Sequence, residues 1–560
     1  MRDLSSIQTE AYDLIVIGGG VNGAGVARDA ALRGLKTILL EKDDFASGTS
    51  SWSTRLVHGG LRYLEYFEFP LVRESLRERE VLLRNAPHLV KPLLLTVPVY
   101  GGRSRPYWKI WAGMILYDLF SYDKSVPLHR MLLKGQFQQL FRALDPEHLQ
   151  GGAQYYDAQA EYAERLCLET IFDARERGAQ VLNYAEVTGL TRVGDRITQV
   201  QVQDRLSGQA FTLQSQAAGV VVNTAGPWVD QVLQRGQPAE IGQGRKIGGT
   251  KGSHIIVDRF PGMPDTGLYV EAKSDGRPFF ILPFLNQVLI GTTDLPFQGP
   301  LEPLKADNAE IDYLLAETNA IVTTANLSRA DVRFTYSGVR PLPYAEGKAP
   351  GALTRRHLLH DHHTEGVCNL ISLIGGKLTT YRHVGEEIVD WACQRLKRPR
   401  AACPTLSAPL PGCLVPTDPQ IKAAVADYCS LVPAATVFHL FTLYGAKGRE
   451  VLALVDAEPE LAAPITPKLP DIRAQIVYAV QEEMAQTFLD ITRRRTTIAM
   501  QDDYGFPALP ALRETLQRYC GWEAARCDRQ EAEYYTYMRD NCVPDYALAD
   551  QPAALSAPAG

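Results

Sequence analysis

Residues 13–42 read DLIVIGGGVNGAGVARDAALRGLKTILLEK, and this stretch decides the fold. "DLIVI" is a short apolar run rich in β-branched residues, suited to a strand buried on both faces. The glycines behind it make a turn. "VARDAALRG" makes a helix with small residues toward the sheet, and "KTILLEK" a second strand, so a right-handed parallel βαβ unit is predicted. Gly18, Gly20 and Gly23 satisfy G-x-G-x-x-G between strand and helix. The first permits the tight turn, the second lets backbone approach a pyrophosphate, and the third lets helix and strand pack closely. The pyrophosphate would sit on the helix N-terminus, where free N–H groups and the dipole favour an anion. Glu41 ends the second strand, where a carboxylate accepts from a ribose hydroxyl. The unit predicts a dinucleotide site and does not itself separate NAD from FAD.

Two features favour FAD. The fingerprint lies at the extreme N-terminus, and a second glycine motif follows far downstream. There Ile371–Ile374 reads as a strand and Gly375–Gly376 as a turn, with a helix beginning near Leu378. That helix N-terminus offers N–H donors and positive potential to the pyrimidine end of an isoalloxazine, where reduction builds negative charge. The second feature is "TSSWSTRLVHGG" at 49–60, close behind Glu41. Ser50, Ser51 and Ser53 can bond phosphate or flavin edges, though plain turn chemistry also accounts for them, and Gly59–Gly60 permits close backbone approach.

Arg55, Arg62, Arg340, Arg355 and Lys377 each fall in or beside a glycine-bearing or sheet-terminal segment, and His254 stands at the strand entry "KGSHIIV". Singly, each reads as a surface cation or a satisfied histidine. Together they suggest a pocket for a dianion that is also an alcohol. Guanidinium and ammonium groups bind phosphate oxygens, and a histidine titrating near neutrality is the default acceptor for an alcohol proton.

The ordered set "DLIVIGGGVNGAGVARDAALRGLKTILLEKDDFASGTSSWSTRLVHGGLRYLE", "VNTAGPWVD", "KGSHIIV", "IGTTD", "YSGVRPL" and "GGKLTTYR" resembles the flavin-dependent glycerol-3-phosphate dehydrogenases. The resemblance runs over most of residues 10–395 and continues more weakly into the C-terminal part. It implies an α/β fold: a glutathione-reductase-like FAD-binding Rossmann domain, a mixed or antiparallel-sheet substrate cap domain and an all-helical C-terminal domain. It also implies oxidation of sn-glycerol 3-phosphate to dihydroxyacetone phosphate, with electrons passed to a membrane quinone from the cytoplasmic face of the membrane. Matched motif by motif, Arg62, Tyr63, His254, Arg340, Arg355 and Lys377 resemble substrate contacts; His254 and Arg340 are the expected catalytic residues at the hydroxyl end, with either one as the base. Arg62, Arg355 and Lys377 are expected to clamp the phosphate. Gly18, Gly20, Asn22, Gly23, Glu41, Ser50, Ser51, His58, Gly59, Val187, Gly226, Gly375, Gly376, Leu378 and Thr379 are the expected cofactor contacts, with His58 beside the flavin. Two departures bear on roles. Arg55 stands where relatives often carry lysine, and Arg356 adjoins Arg355 as an alternative contact. The rival reading is an oxidase that reduces oxygen; such oxidases tend to carry an insertion that this chain lacks.

The 560 residues suggest three or four units, and the net charge of -6 gives no global attraction to nucleic acid. No metal site is expected. Nine cysteines without a CxxC pair read as small hydrophobes in a reducing compartment. No signal peptide is expected from the first residues, and no run is long enough for a membrane span. "YWKIWAGMILYDLF" at 107–120 is either an interfacial helix, with tryptophans, tyrosines and flanking cations, or an ordinary buried one. The expected division is 1–75 plus 150–235 plus 345–398 for the cofactor domain, 76–149 plus 236–344 for the cap, 399–540 for the helical domain and 541–560 for a disordered tail. Ile472, Ile476, Val480, Met484, Phe488 and Ile491 predict a helical core stripe, ending in Arg493–Arg495 at a helix C-terminus. A homodimer is compatible with all of this.

Overall fold

The computed structural model describes residues 4–102, 105–237, 241, 244–346, 355–399 and 402–550. The predicted βαβ unit is strand Ala11–Ile17, helix Val21–Leu32 and strand Thr37–Leu40, with Ile15 opposite Ile38 in parallel register. Leu14 and Val16 face helices Val21–Leu32 and Tyr381–Arg395, while Ile15 and Ile17 pack under an antiparallel meander. Both faces are covered, which is why this strand is apolar throughout.

Outward from Ala11–Ile17 the parallel strands run to Thr37–Leu40 and Gln180–Leu182 on one side. On the other side lie the end of Ala210–Asn223 and then Leu370–Ile374. The first half of Ala210–Asn223 instead pairs antiparallel with Arg196–Asp204, which pairs with Ala185–Val193. Gly18, Thr224 and Gly375 therefore follow carboxyl ends of strands at one edge of the sheet, where ligands bind in such folds.

A second, mixed sheet of ten strands stands beside the first. Its middle is Thr250–Asp258, flanked antiparallel by Gln287–Gly291 and Val332–Arg340. The sheet continues through Pro278–Phe284, Gly267–Glu271, Lys91–Tyr100 and Leu149–Gln159. Strand Leu149–Gln159, expected in the cofactor domain, thus lies in the second sheet, paired along its length with Lys91–Tyr100. Leu56–Val57 joins the same sheet against Ala158–Gln159, because Arg55 turns the chain at a φ of 61°. The expected boundaries at 75 and 150 do not coincide with the passage between sheets.

The C-terminal part is helical, as expected, with two differences. Helix Arg473–Gln481 stops before Met484, so the stripe from Ile472 to Ile491 is not one helix. Asp490 accepts from the N–H groups of Gln486 and Thr487 and starts a separate π-helical turn, Asp490–Arg495. Ile472, Ile476, Phe488 and Ile491 are nevertheless buried core. Cys542 and Val543 are buried too and Asp545–Asp550 is a helix, so the beginning of the expected tail is structured; residues 551–560 lie outside the described residues. All nine cysteines are free, four of them buried and Cys429 exposed.

Arg493–Arg495 do not end an exposed helix. All three are buried. Arg494 donates to Asp44 at 2.6 Å and Arg495 pairs with the same carboxylate. Arg493 donates to Glu164 at 2.5 Å, and Arg55 grips Glu164 through two bonds of 2.6 and 2.7 Å. Burial pushes the Asp44 carboxyl up, but Arg495 and Arg494 outweigh it and hold it below the ordinary range. Asp44→Ala leaves the buried Arg495 without its acid and Arg494 with Asp490 alone, which costs about 3–5 kcal/mol. The unfolding free energy from urea titration is expected to fall by that amount, with a lower midpoint, while the exposed-pair variant Asp312→Ala, whose partner Arg329 sits at the surface, keeps the wild-type midpoint.

Candidate active site

One cavity of about 430 Å³ runs along the carboxyl edge of the first sheet and under the second. That is within the range of cofactor and ligand sites, roughly 300–1,000 Å³. Its cofactor end is built by the two glycine motifs. Gly23 lies so close to the preceding turn that a Cβ would stand 2.0 Å from the Gly18 carbonyl oxygen. Gly376, at a φ of 98°, packs on Asn22, where a Cβ would fall 2.7 Å from Nδ2. The two motifs thus meet side by side. Glu41 accepts from Gly19 N–H at 2.7 Å and Asp43 N–H at 3.0 Å, and burial raises its carboxyl to about 7. Ser50 Oγ accepts from Val21 N–H at 2.9 Å, at the start of the helix.

Most expected cofactor contacts line this cavity: Gly18, Gly20, Asn22, Glu41, Ser50, His58, Val187, Gly226, Gly375, Gly376, Leu378 and Thr379. Three do not. Gly23 acts through packing alone, and the Ser51 hydroxyl is turned into its own loop, donating to the Ala46 carbonyl at 2.6 Å. Gly59 N–H faces Asp157, and a Cβ there would meet Tyr117. His58 N–H donates to Thr379 Oγ1 at 3.1 Å, joining the two motif regions. Burial, with Lys377 adding, pushes its imidazole down to about 3, so it is neutral.

At the other end, every expected substrate residue lines the same cavity: Arg62, Tyr63, His254, Arg340, Arg355 and Lys377. Arg355, and not Arg356, faces it. Arg340 and Arg355 share one acid, Asp294, at 2.9 and 3.0 Å. Burial, then the nearby Arg355 and Arg277, lowers Arg340 to about 10 despite Asp294. Lys377 donates to Ser75 Oγ at 3.0 Å and lies 4.6 Å over the Tyr63 ring. Arg62 donates to Tyr66 at 3.1 Å. Arg55, one of the motif cations, is spent on Glu164 and is structural.

His254 is buried and stacks on Tyr336 at 4.7 Å. Burial, with the Arg340 and Arg55 charges adding, holds it well below 6.5. Sequence reasoning missed Asp294, although "IGTTD" places an acid at the end of a strand in a cationic region, and it missed Arg277, which lies on a hairpin turn without a motif of its own. A grouping outside the cavity, His360, His362 and Glu365, has metal-ligand proximity. Lys246 donates to Glu365 there at 2.6 Å, so an ammonium already balances the acid.

The sequence profile described as "FAD dependent oxidoreductase" matches residues 13–391. The chain belongs to that family. A second profile, "C-terminal domain of alpha-glycerophosphate oxidase", matches residues 403–527. A glycerol-3-phosphate dehydrogenase of Synechocystis sp. is 59% identical over 98% of this chain and 100% of that protein. A D-erythritol 1-phosphate dehydrogenase of Brucella abortus is 39% identical over 87% and 95%. The solved glycerol-3-phosphate dehydrogenase of Bacillus halodurans, complexed with FAD, has a TM-score of 0.76 at 29% identity, covering 96% of each chain. The mixed α/β architecture with a helical C-terminal part is the fold of this FAD-dependent oxidoreductase family, and FAD is its cofactor.

The cavity fits that cofactor. The glycine-lined helix N-terminus suits the pyrophosphate, Glu41 the ribose, and the Gly375–Gly376 turn the pyrimidine edge. The buried Asn22 Oδ1, which has no hydrogen-bond partner, provides a further polar contact there. Gly376→Ala is strained by its φ and strikes Asn22. It is expected to purify with well under half the wild-type flavin, read as the ratio of absorbance in the flavin band to that of the protein.

Proposed function

We propose that this protein is an FAD-dependent glycerol-3-phosphate dehydrogenase that passes its electrons to a membrane quinone. The observation that carries the reading is the cavity itself, whose lining brings Arg62, Arg340, Arg355 and Lys377 together with the neutral His254. A phosphate dianion matches the cations, and an alcohol matches the histidine. An amine substrate would be repelled. The names of the Synechocystis and Bacillus relatives support the same substrate.

FAD, when bound, supplies the acceptor for the hydride from C2. Arg62, Arg355 and Lys377 hold the phosphate, with Asp294 fixing the angle of Arg355. Arg340 and His254 face the C1–C2 end. Neutral His254 accepts the hydroxyl proton, and the substrate dianion offsets the repulsion that Arg340 and Arg55 exert on the imidazolium. His254→Gln is expected to lower kcat by about 10²–10⁴. Because its environment keeps His254 neutral below the ordinary histidine range, kcat should stay flat from pH 8 down to 6. The substrate's own second phosphate ionisation, near pH 6, enters kcat/KM instead. An acidic limb of kcat that is the same in His254→Gln as in the wild type would count against the histidine. Lys377→Ala should cost about 10–100-fold in kcat/KM with glycerol 3-phosphate and far less with glycerol.

Membrane delivery is supported by helix Tyr107–Phe120. Only Ile110, Met114 and Tyr117 are buried, while Trp108, Trp111 and Leu119 are 68, 52 and 63% exposed. The alternative of an ordinary buried helix does not hold. No helix among the described residues is long and apolar enough to cross a membrane, so this face would lie on one. Behind it is an apolar cavity of about 330 Å³, lined by Leu61, Val97, Val99, Ile110, Leu116 and Tyr269. Leu61, Arg62 and Tyr269 border both cavities. That continuity favours a quinone entering from the bilayer over oxygen as acceptor. Trp108→Glu with Leu119→Glu is expected to abolish flotation with phosphatidylglycerol-containing vesicles and to slow quinone reduction there. Activity with a soluble dye should be unchanged. Reoxidation of the reduced flavin by oxygen as fast as by quinone would favour the oxidase reading.

A further inference from the structure

Among the described residues, the His254 ring has one hydrogen-bond partner, and that partner faces the cavity. Its Nδ1 is buried and has no hydrogen-bond partner. Its Nε2 lies 2.9 Å from Thr54 Oγ1. The ring itself cannot swing, because Tyr336 stacks on one face and a Cβ at Gly291 would already stand 2.4 Å from its Cδ2. Thr54 and His254 both line the main cavity, and Thr54 is the more exposed of the two.

Thr54 is in turn placed from behind. Arg55, the next residue, is held by two bonds to Glu164 and adopts a φ of 61°, which no arginine takes without cost. Ser53 on the other side accepts from the Tyr336 hydroxyl through its carbonyl at 2.9 Å. The buried Arg55–Glu164 pair therefore fixes a hydroxyl and not merely a turn. The same Tyr336 that stacks on His254 anchors the segment carrying Thr54.

We propose that Thr54 is the proton-transfer residue between the substrate alcohol and His254. The C2 hydroxyl proton passes to Thr54 Oγ1 while the Thr54 hydroxyl proton passes to His254 Nε2. The C2–H bond breaks with its electron pair going to the flavin, the oxygen lone pair closes the carbonyl, and the histidine is left as imidazolium. This rests on the reading of His254 as the base. It adds the hydroxyl through which that base reaches the substrate.

The test compares Thr54→Val, Thr54→Ser and His254→Gln, each checked for native flavin content and melting temperature. Valine keeps the shape and removes the hydroxyl. Flavin reduction by glycerol 3-phosphate, followed by stopped flow, is expected to slow at least thirtyfold in Thr54→Val with KM within threefold. Thr54→Ser is expected to stay within fivefold of wild type. A Thr54→Val enzyme that reduces its flavin at the wild-type rate, while His254→Gln does not, overturns the proposal and leaves the histidine in place. Near-native reduction in His254→Gln overturns both. If Thr54→Val loses flavin or KM instead of rate, or serine fails to restore it, the hydroxyl is a packing element and the proposal falls.

Discussion

A carboxylate buried between two arginines organises this molecule. Glu164, on the helix that packs against the cofactor-binding unit, is shared by Arg55 from the cofactor loop and Arg493 from the helical C-terminal part. Both guanidiniums also donate to the Ser51 carbonyl at 3.2 Å. Arg55 and Arg493 outweigh the cost of burial and hold the Glu164 carboxyl at about 2, so it stays ionised at every working pH. Asp44, with Arg494 and Arg495, repeats the arrangement at the other end of the loop. Charges buried in this way are poor evidence for net stability, because desolvation consumes much of the attraction. They are strong constraints on geometry, since each carboxylate must find its partners or remain uncompensated in a low-dielectric interior.

That constraint explains the chemistry of the segment between Glu41 and Tyr63. One side of it meets the flavin region through Ser50 and His58, and the other meets the substrate region through Thr54, Arg62 and Tyr63. A segment serving both sides has to be rigid, yet it contains little regular secondary structure. Rigidity comes from the ion pairs beneath it and from Thr49, which donates to the Val339 carbonyl of the second sheet at 2.8 Å. The second sheet contributes its own fixed acid, Asp294, which orients Arg340 and Arg355 without neutralising the pocket.

The βαβ unit was legible in the sequence because its pattern is local: strand, glycine turn, helix and acid follow within thirty residues. The cation set was legible for a related reason, since Arg62, His254, Arg340 and Lys377 each sit in a short motif whose neighbours are glycines or β-branched residues. What escaped was long-range. Strand Leu149–Gln159 carries Gly151, Gly152 and several glutamines, so its apolar alternation is weak, and only its partner Lys91–Tyr100 defines it. The core stripe from Ile472 to Ile491 kept helical spacing across a break because burial, not helical continuity, selects those residues. Arg493–Arg495 looked like a favourable helix terminus, since nothing nearby in the chain announces Asp44 or Glu164. Asp294 was visible as a letter but not as a clamp. Its meaning depends on Arg355, sixty-one positions later.

The ionic seal also sets an order on biosynthesis. The pairs joining Asp44 to Arg494 and Arg495 span 450 and 451 positions, and that joining Glu164 to Arg493 spans 329. A ribosome delivers the nucleotide-binding unit long before it delivers the arginines that close over it. Until residues 493–495 emerge, Asp44 and Glu164 lack those partners and the loop behind the flavin lacks its backing. The N-terminal part of the chain can collapse during synthesis, but its cofactor loop acquires its final form only after residue 495 has been made. In this protein the C-terminal part thus completes the cofactor loop, whose two buried carboxylates find their last partners only in residues 493–495.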